Sequence, residues 1–115
     1  MMPDQGDIVL VPVPFTDLSS QKRRPVIVLS NNDYQRATSD FVAVAMSSRQ
    51  QQTRYGFVVT SNELTLGKLK RPSQIRADKI YTLAQSIIVH RFGRVNENVL
   101  DRIRALISSL LAATP

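Results

Sequence analysis

The sequence has no cysteine, no tryptophan and a single histidine among its 115 residues. Without cysteine there can be no disulfide, no thiolate metal site and no thiol nucleophile, so a disulfide-stapled secreted scaffold gains no support. One histidine, His90, cannot build a histidine-rich metal centre, and a serine–histidine triad would depend wholly on it. The nine Asp and Glu residues are scattered, with no pair at ligand spacing, so neither a metal nor another cofactor is expected. No apolar run approaches the roughly 20 residues of a membrane-spanning helix. The opening MMPDQGDIVL lacks the basic stretch and apolar core of a secretory leader, so a cytoplasmic location is expected. There is no internal repeat, low-complexity segment or linker, and the length suits one domain over residues 1–115.

Acid is also scarce, and unevenly so. Lys and Arg number 15 against nine acids, a formal net charge of +6. Between Phe41 and Asn96 there are nine basic residues and two acidic ones, Glu63 and Asp78, a local net charge of +7. Such an imbalance points to a polyanion or an acidic protein as partner. A merely solubilising surface is the plainer reading.

Short apolar runs divided by polar turns fill most of the chain. GDIVLVPVPF (6–15) reads as a strand that must end, or lie at an edge, where Pro12 and Pro14 remove backbone donors. PVIVLS (25–30) suits a buried central strand, and DFVAVAMSS (40–48) and FVVTS (57–61) follow as strands. NNDYQRATS (31–39) reads as a turn or one helical turn between them. LKRPSQIRADKIYTL (69–83) contains the fifth strand and SIIVHRFG (86–93) the last. The period then changes: Val99, Ile103, Leu106, Ile107, Leu110 and Leu111 recur at spacings of three and four, one stripe of a helix with Asn96 as N-cap. Six short strands and an amphipathic helix predict a mainly β fold, a small barrel-like sheet with a C-terminal α-helix packed on it.

Within the fifth strand, Arg76 and Asp78 stand two apart and so share a face. Read alone, they are a surface ion pair of little energetic weight. His90 follows an apolar run and reads as a partly buried or rim residue. The aromatic residues Phe15, Tyr34, Tyr55, Phe57, Tyr81 and Phe92 read mostly as core or sheet edge, with Phe15 and Tyr55 in loops where a nucleobase could stack.

Together, GDIVLVPVPFTD, the basic loop ending in KRRPVIVLS, FVAVAMSS and SQIRADKIYTL resemble the MazF/PemK (Kid) toxins of type II toxin–antitoxin systems, in order and spacing, over nearly the whole chain. The resemblance implies a dimeric SH3-like barrel with a C-terminal helix, of the kind shared by CcdB, MazF and Kid. It implies a metal-independent endoribonuclease that cuts single-stranded RNA, mRNA included, and so inhibits translation. An acidic, largely disordered antitoxin would hold it inactive. By the same resemblance the catalytic positions fall on Arg24, on Ser47 (where the family commonly has Thr), and on Arg76 and Asp78. The basic side chains Lys22, Arg23, Arg49, Arg54, Lys70, Arg71 and Lys79 would hold the RNA backbone.

Metal-free RNA cleavage needs a base for the 2′-hydroxyl proton, positive charge for the phosphoryl oxygens and a proton for the 5′-oxygen. The base must be a carboxylate, a lysine or water. Asp78 is the best-placed carboxylate, but members of the family without it manage with the Arg/Thr pair. Arginine suits bidentate grip of a phosphate better than proton donation, because its pKa exceeds about 12. Two other classes remain open at this point: a gyrase poison of the CcdB type, and a noncatalytic SH3-like module that binds nucleic acid or protein. Against the first, the chain ends LLAATP and lacks the tryptophan–glycine–isoleucine tail such poisons use.

Overall fold

The computed structural model describes residues 2–12 and 23–115. Among these residues, seven antiparallel strands form one curled sheet: β1 (Asp7–Val11), β2 (Arg24–Val28), β3 (Asp40–Ser47), β4 (Gly56–Val59), β5 (Leu64–Gly67), β6 (Ser73–Ala84) and β7 (His90–Val95). Their order across the sheet is β4-β6-β3-β2-β1-β7-β5, so the fold is a half-barrel with β4 and β5 at its edges. A short helix, α1 (Asn32–Ala37), links β2 to β3, and α2 (Glu97–Leu111) closes the chain.

Strands β1 to β3 carry unbroken apolar runs because they are buried on both faces. On one face Ile8, Ile27, Val44 and Ile75 meet Val99, Leu100 and Ile103 of α2 in the larger core cluster. Ile103 has no exposed surface, and its truncation to alanine would cost about 2–5 kcal/mol. On the other face Val9, Val11, Val26, Val28, Phe41 and Ala43 form a second cluster, covered by Leu83, Ile87 and Ile88. The helix starts where expected: the Asn96 side-chain carbonyl accepts from the Val99 N–H at 3.0 Å, and Glu97 lies in the first turn.

As expected, the first strand ends at Val11, just before Pro12; Pro14 lies outside the described residues. Two other expectations need correction. The last strand runs over His90–Val95 rather than from residue 86, because Gln85–Ile87 form a 3-10 turn that plugs Ile87 and Ile88 into the second cluster. A seventh strand, β5, was not expected; it pairs with β7 and ends at Gly67, whose φ of +82° and contact with the Phe92 carbonyl leave no room for a side chain.

The charge reading changes as well. Asp7 is fully buried and accepts from Arg94 Nε at 2.8 Å and Arg91 Nη1 at 3.3 Å, an anchor between β1 and β7. Arg94 also pairs with Asp4 at 2.9 Å. Two of the cations counted in the basic half therefore serve the fold.

Candidate active site

Arg24 opens β2 and Ser47 ends β3. Val26 faces Ala45 across these antiparallel strands, so continuing the register by two residues sets Arg24 opposite Ser47. On the other side of β3, Ala45 faces Arg76 of β6. Directly opposed residues share a face of a sheet. Arg24, Ser47 and Arg76 therefore project from three neighbouring strands on the face away from α2, beside the second apolar cluster.

Strand β6 is irregular here. Val44 pairs with Ile80 but the next residue, Ala45, pairs with Arg76, so Ala77, Asp78 and Lys79 bulge from the ladder. The Ala77 N–H turns away and donates to the Tyr55 carbonyl at 2.8 Å. The bulge shifts the phase of the strand. Tyr81, opposite Ala43, thereby comes to the same face as Arg76, which an uninterrupted strand would forbid.

The Arg76 guanidinium is tightly framed. Nε and Nη2 donate to the two carboxylate oxygens of Asp78 at 2.9 and 2.8 Å, and Nη1 donates to Gln51 Oε1 at 2.9 Å. Gln51 is itself clamped by the buried Gln74: its N–H donates to Gln74 Oε1 at 2.9 Å, and its carbonyl accepts from Gln74 Nε2 at 2.8 Å. The hydrogen bonds from Arg76 hold the Asp78 carboxyl below the usual carboxylate range, against the opposing effect of partial burial. The same contact raises the guanidinium of Arg76. Burial pushes the Tyr81 phenol up, with Arg76 and Arg24 pulling the other way.

Two clefts meet at Arg24 and Ser47. One, of about 240 Å³, is lined by both of these with Arg49, Gln51, Arg76, Lys79 and Tyr81. The other, of about 310 Å³, is lined by both with Arg23, Lys70, Arg71 and Phe92. Ser47 Oγ accepts from the Arg49 N–H at 3.1 Å, an arrangement that leaves its own O–H to donate.

Of the residues expected at the site, Arg24, Ser47 and Arg76 thus share one cleft, and Arg23, Arg49, Lys70, Arg71 and Lys79 surround it. Asp78 lines neither cleft; it touches the site through Arg76. Arg54 lies over the Tyr55 ring at 5.4 Å and also lines neither cleft. Lys22 and Phe15 fall outside the described residues. His90 is exposed on β7, opposite Leu10. Sequence reasoning missed Gln51 and Tyr81. No local signal marks the first, and the bulge disguises the second.

A family model described as "PemK-like, MazF-like toxin of type II toxin-antitoxin system" matches residues 4–111. No curated protein sequence matches the chain. Among similar solved structures, MazF from Deinococcus radiodurans has a TM-score of 0.77 at 23% identity, covering 96% of this chain and 97% of its own. A mycobacterial endoribonuclease has a TM-score of 0.75 at 21% identity, covering 100% and 97%. A mycobacterial endoribonuclease in complex with its cognate antitoxin has a TM-score of 0.72 at 21% identity, covering 98% and 99%.

Proposed function

This chain belongs to the PemK-like, MazF-like toxin family of type II toxin–antitoxin systems, and on that premise we propose that its 115 residues act as one domain, an endoribonuclease that cuts single-stranded RNA. The observation that carries the reading is the convergence of Arg24, Ser47 and Arg76 on one cleft. The endoribonucleases of similar fold support it.

The reaction is attack of the 2′-oxygen on its own phosphorus. Arg24 and Arg76 hold the phosphoryl oxygens and take up the charge that grows there, the task a metal ion performs elsewhere. A guanidinium has five N–H donors. Asp78 and Gln51 engage three of those on Arg76, so two remain for a phosphate while the frame stays closed. Asp78 is then a positioning residue: both its oxygens are committed, and its depressed pKa makes it a weak base. Ser47 donates its O–H to the phosphate. The 2′-proton passes to water, its departure eased by the two neighbouring cations. Nucleotides on either side of the cut phosphate occupy the two clefts, with Arg23, Arg49, Lys70, Arg71 and Lys79 along the backbone.

Both clefts are open and shallow, and a two-fold homodimer would join two copies into a longer basic groove. An acidic antitoxin segment would fold over that groove and exclude RNA; an endoribonuclease of similar fold is found in complex with its cognate antitoxin. The cytoplasm, where mRNA lies, is the fitting location.

The test is incubation of the purified chain with a long single-stranded RNA in EDTA, beside the Arg24→Ala variant. Discrete fragments from the wild type and none from the variant are expected. An intact RNA after prolonged incubation with folded wild-type protein would refute the reading.

A further inference from the structure

Arg24 and Arg76 supply charge for the phosphate and water takes the 2′-proton, but the departing 5′-oxygen also needs a proton. We infer that the Tyr81 hydroxyl is the general acid that delivers it, an assignment that rests on the nuclease reading above.

Tyr81 stands on β6 opposite Ala43, two residues along β3 from Ala45, which Arg76 faces. The bulge at Ala77–Lys79 puts the ring on the site's face, and Tyr81 lines the same cleft as Arg24, Ser47 and Arg76. Ala45, the small residue opposite Arg76, lines the cleft between them.

Among the described residues lining this cleft, the donors to weigh are the guanidinium groups, Ser47, Lys79 and Tyr81; Lys79 sits within the bulge, outside the paired ladder, whereas Tyr81 is held in the ladder opposite Ala43 on the site's face. Guanidinium groups hold their protons with pKa values above about 12, and Arg76 is raised further by Asp78. A serine hydroxyl gives up its proton about as reluctantly as water. His90, the sole imidazole, lies on β7 and does not line the cleft. A phenol is a far stronger acid than an aliphatic hydroxyl. Burial keeps Tyr81 protonated through the neutral range, and the charges of Arg24 and Arg76 favour the phenolate it leaves behind.

The 2′-oxygen bonds to phosphorus and yields its proton to water. The P–O5′ bond breaks, and the electron pair leaves with O5′, which takes the Tyr81 proton and departs as a hydroxyl. The phenolate regains a proton from water, so the cycle closes with no net change at the enzyme.

The experiment uses Tyr81→Phe, which keeps the ring and removes only the oxygen. The bond cut by the wild type is first mapped, and two substrates are then made: ordinary RNA, and RNA with sulfur in place of the bridging 5′-oxygen at that bond. A thiolate leaves without protonation. On ordinary RNA the variant should lose about 10²-fold or more in kcat, with KM little changed and thermal unfolding like the wild type. On the sulfur substrate, wild type and variant should cut equally fast. Arg24→Ala should stay slow on both, since sulfur does not replace its charge. A Tyr81→Phe enzyme at full rate on ordinary RNA, or equally slow on both substrates, would overturn the assignment while leaving the nuclease reading intact. A wild type that cuts neither substrate would overturn both.

Discussion

Arg76 and Asp78, two residues apart on β6, are joined by a two-point fork at 2.9 and 2.8 Å, with both carboxylate oxygens used and neither lining a cleft. A carboxylate held this way steers its arginine. Gln51 completes the frame from the far side, tying the loop between β3 and β4 to the same guanidinium.

The fork gives Asp78→Asn a kinetic signature. Losing one anchor of Arg76 should lower kcat by about 10- to 10²-fold, the scale of a misplaced catalytic group. The shape of the pH–rate profile should not change, and RNA should bind as well or slightly tighter, because an anion has been removed. Complete loss of cleavage together with a flattened acidic limb would identify Asp78 as the base instead.

Acid should remove the fork's contribution to stability. Asp78 has a pKa lower in the folded chain than in the unfolded one. Its stabilisation is therefore full above the unfolded value, near 3.9, and is lost as pH falls through the depressed folded value. Urea unfolding of wild type and Asp78→Asn should show a constant gap above about pH 5 that closes in stronger acid. A gap that persists unchanged down to about pH 2 would contradict the linkage.

Arg24 is expected to work through its planar fork. Arg24→Ala should cost about 10²–10³-fold in the chemical step, as for a lost oxyanion donor. Arg24→Lys should recover little, since a point charge does not reproduce two parallel donors. Near-wild-type single-turnover rates in Arg24→Lys would reduce the residue's role to plain charge.

How much of this was legible in the sequence depends on whether local pattern or tertiary pairing decides each element. The α2 helix was legible because its stripe and the Asn96 cap are local. Strands β2 and β3 were legible because burial on both faces leaves unbroken apolar runs. β5 was not: three of its four residues are exposed, so only pairing with β7 defines it. The run at Ser86–Val89 misled because an apolar stretch fits a strand and a core-plugging turn equally well. At the site, Arg24, Ser47 and Arg76 followed from the resemblance and were brought together by register. Tyr81 stayed hidden because a three-residue bulge reverses the alternation that reading by twos assumes. Gln51 stayed hidden because its partners are far away in sequence. The basic surface was overcounted, since Arg91 and Arg94 turn inward to Asp7.

Assembly is open to direct measurement. Sedimentation at micromolar concentration should give twice the 12.9 kDa chain mass. A fully active monomer would contradict the shared groove.

The chemistry of the cut ends tests the central claim most directly. Single-stranded RNA cleaved by the wild-type protein in EDTA should carry a 2′,3′-cyclic phosphate on one fragment and a 5′-hydroxyl on the other, because the nucleophile is the substrate's own 2′-oxygen. Ends bearing a 5′-phosphate and a 3′-hydroxyl, or cleavage that stops when divalent ions are chelated, would contradict it.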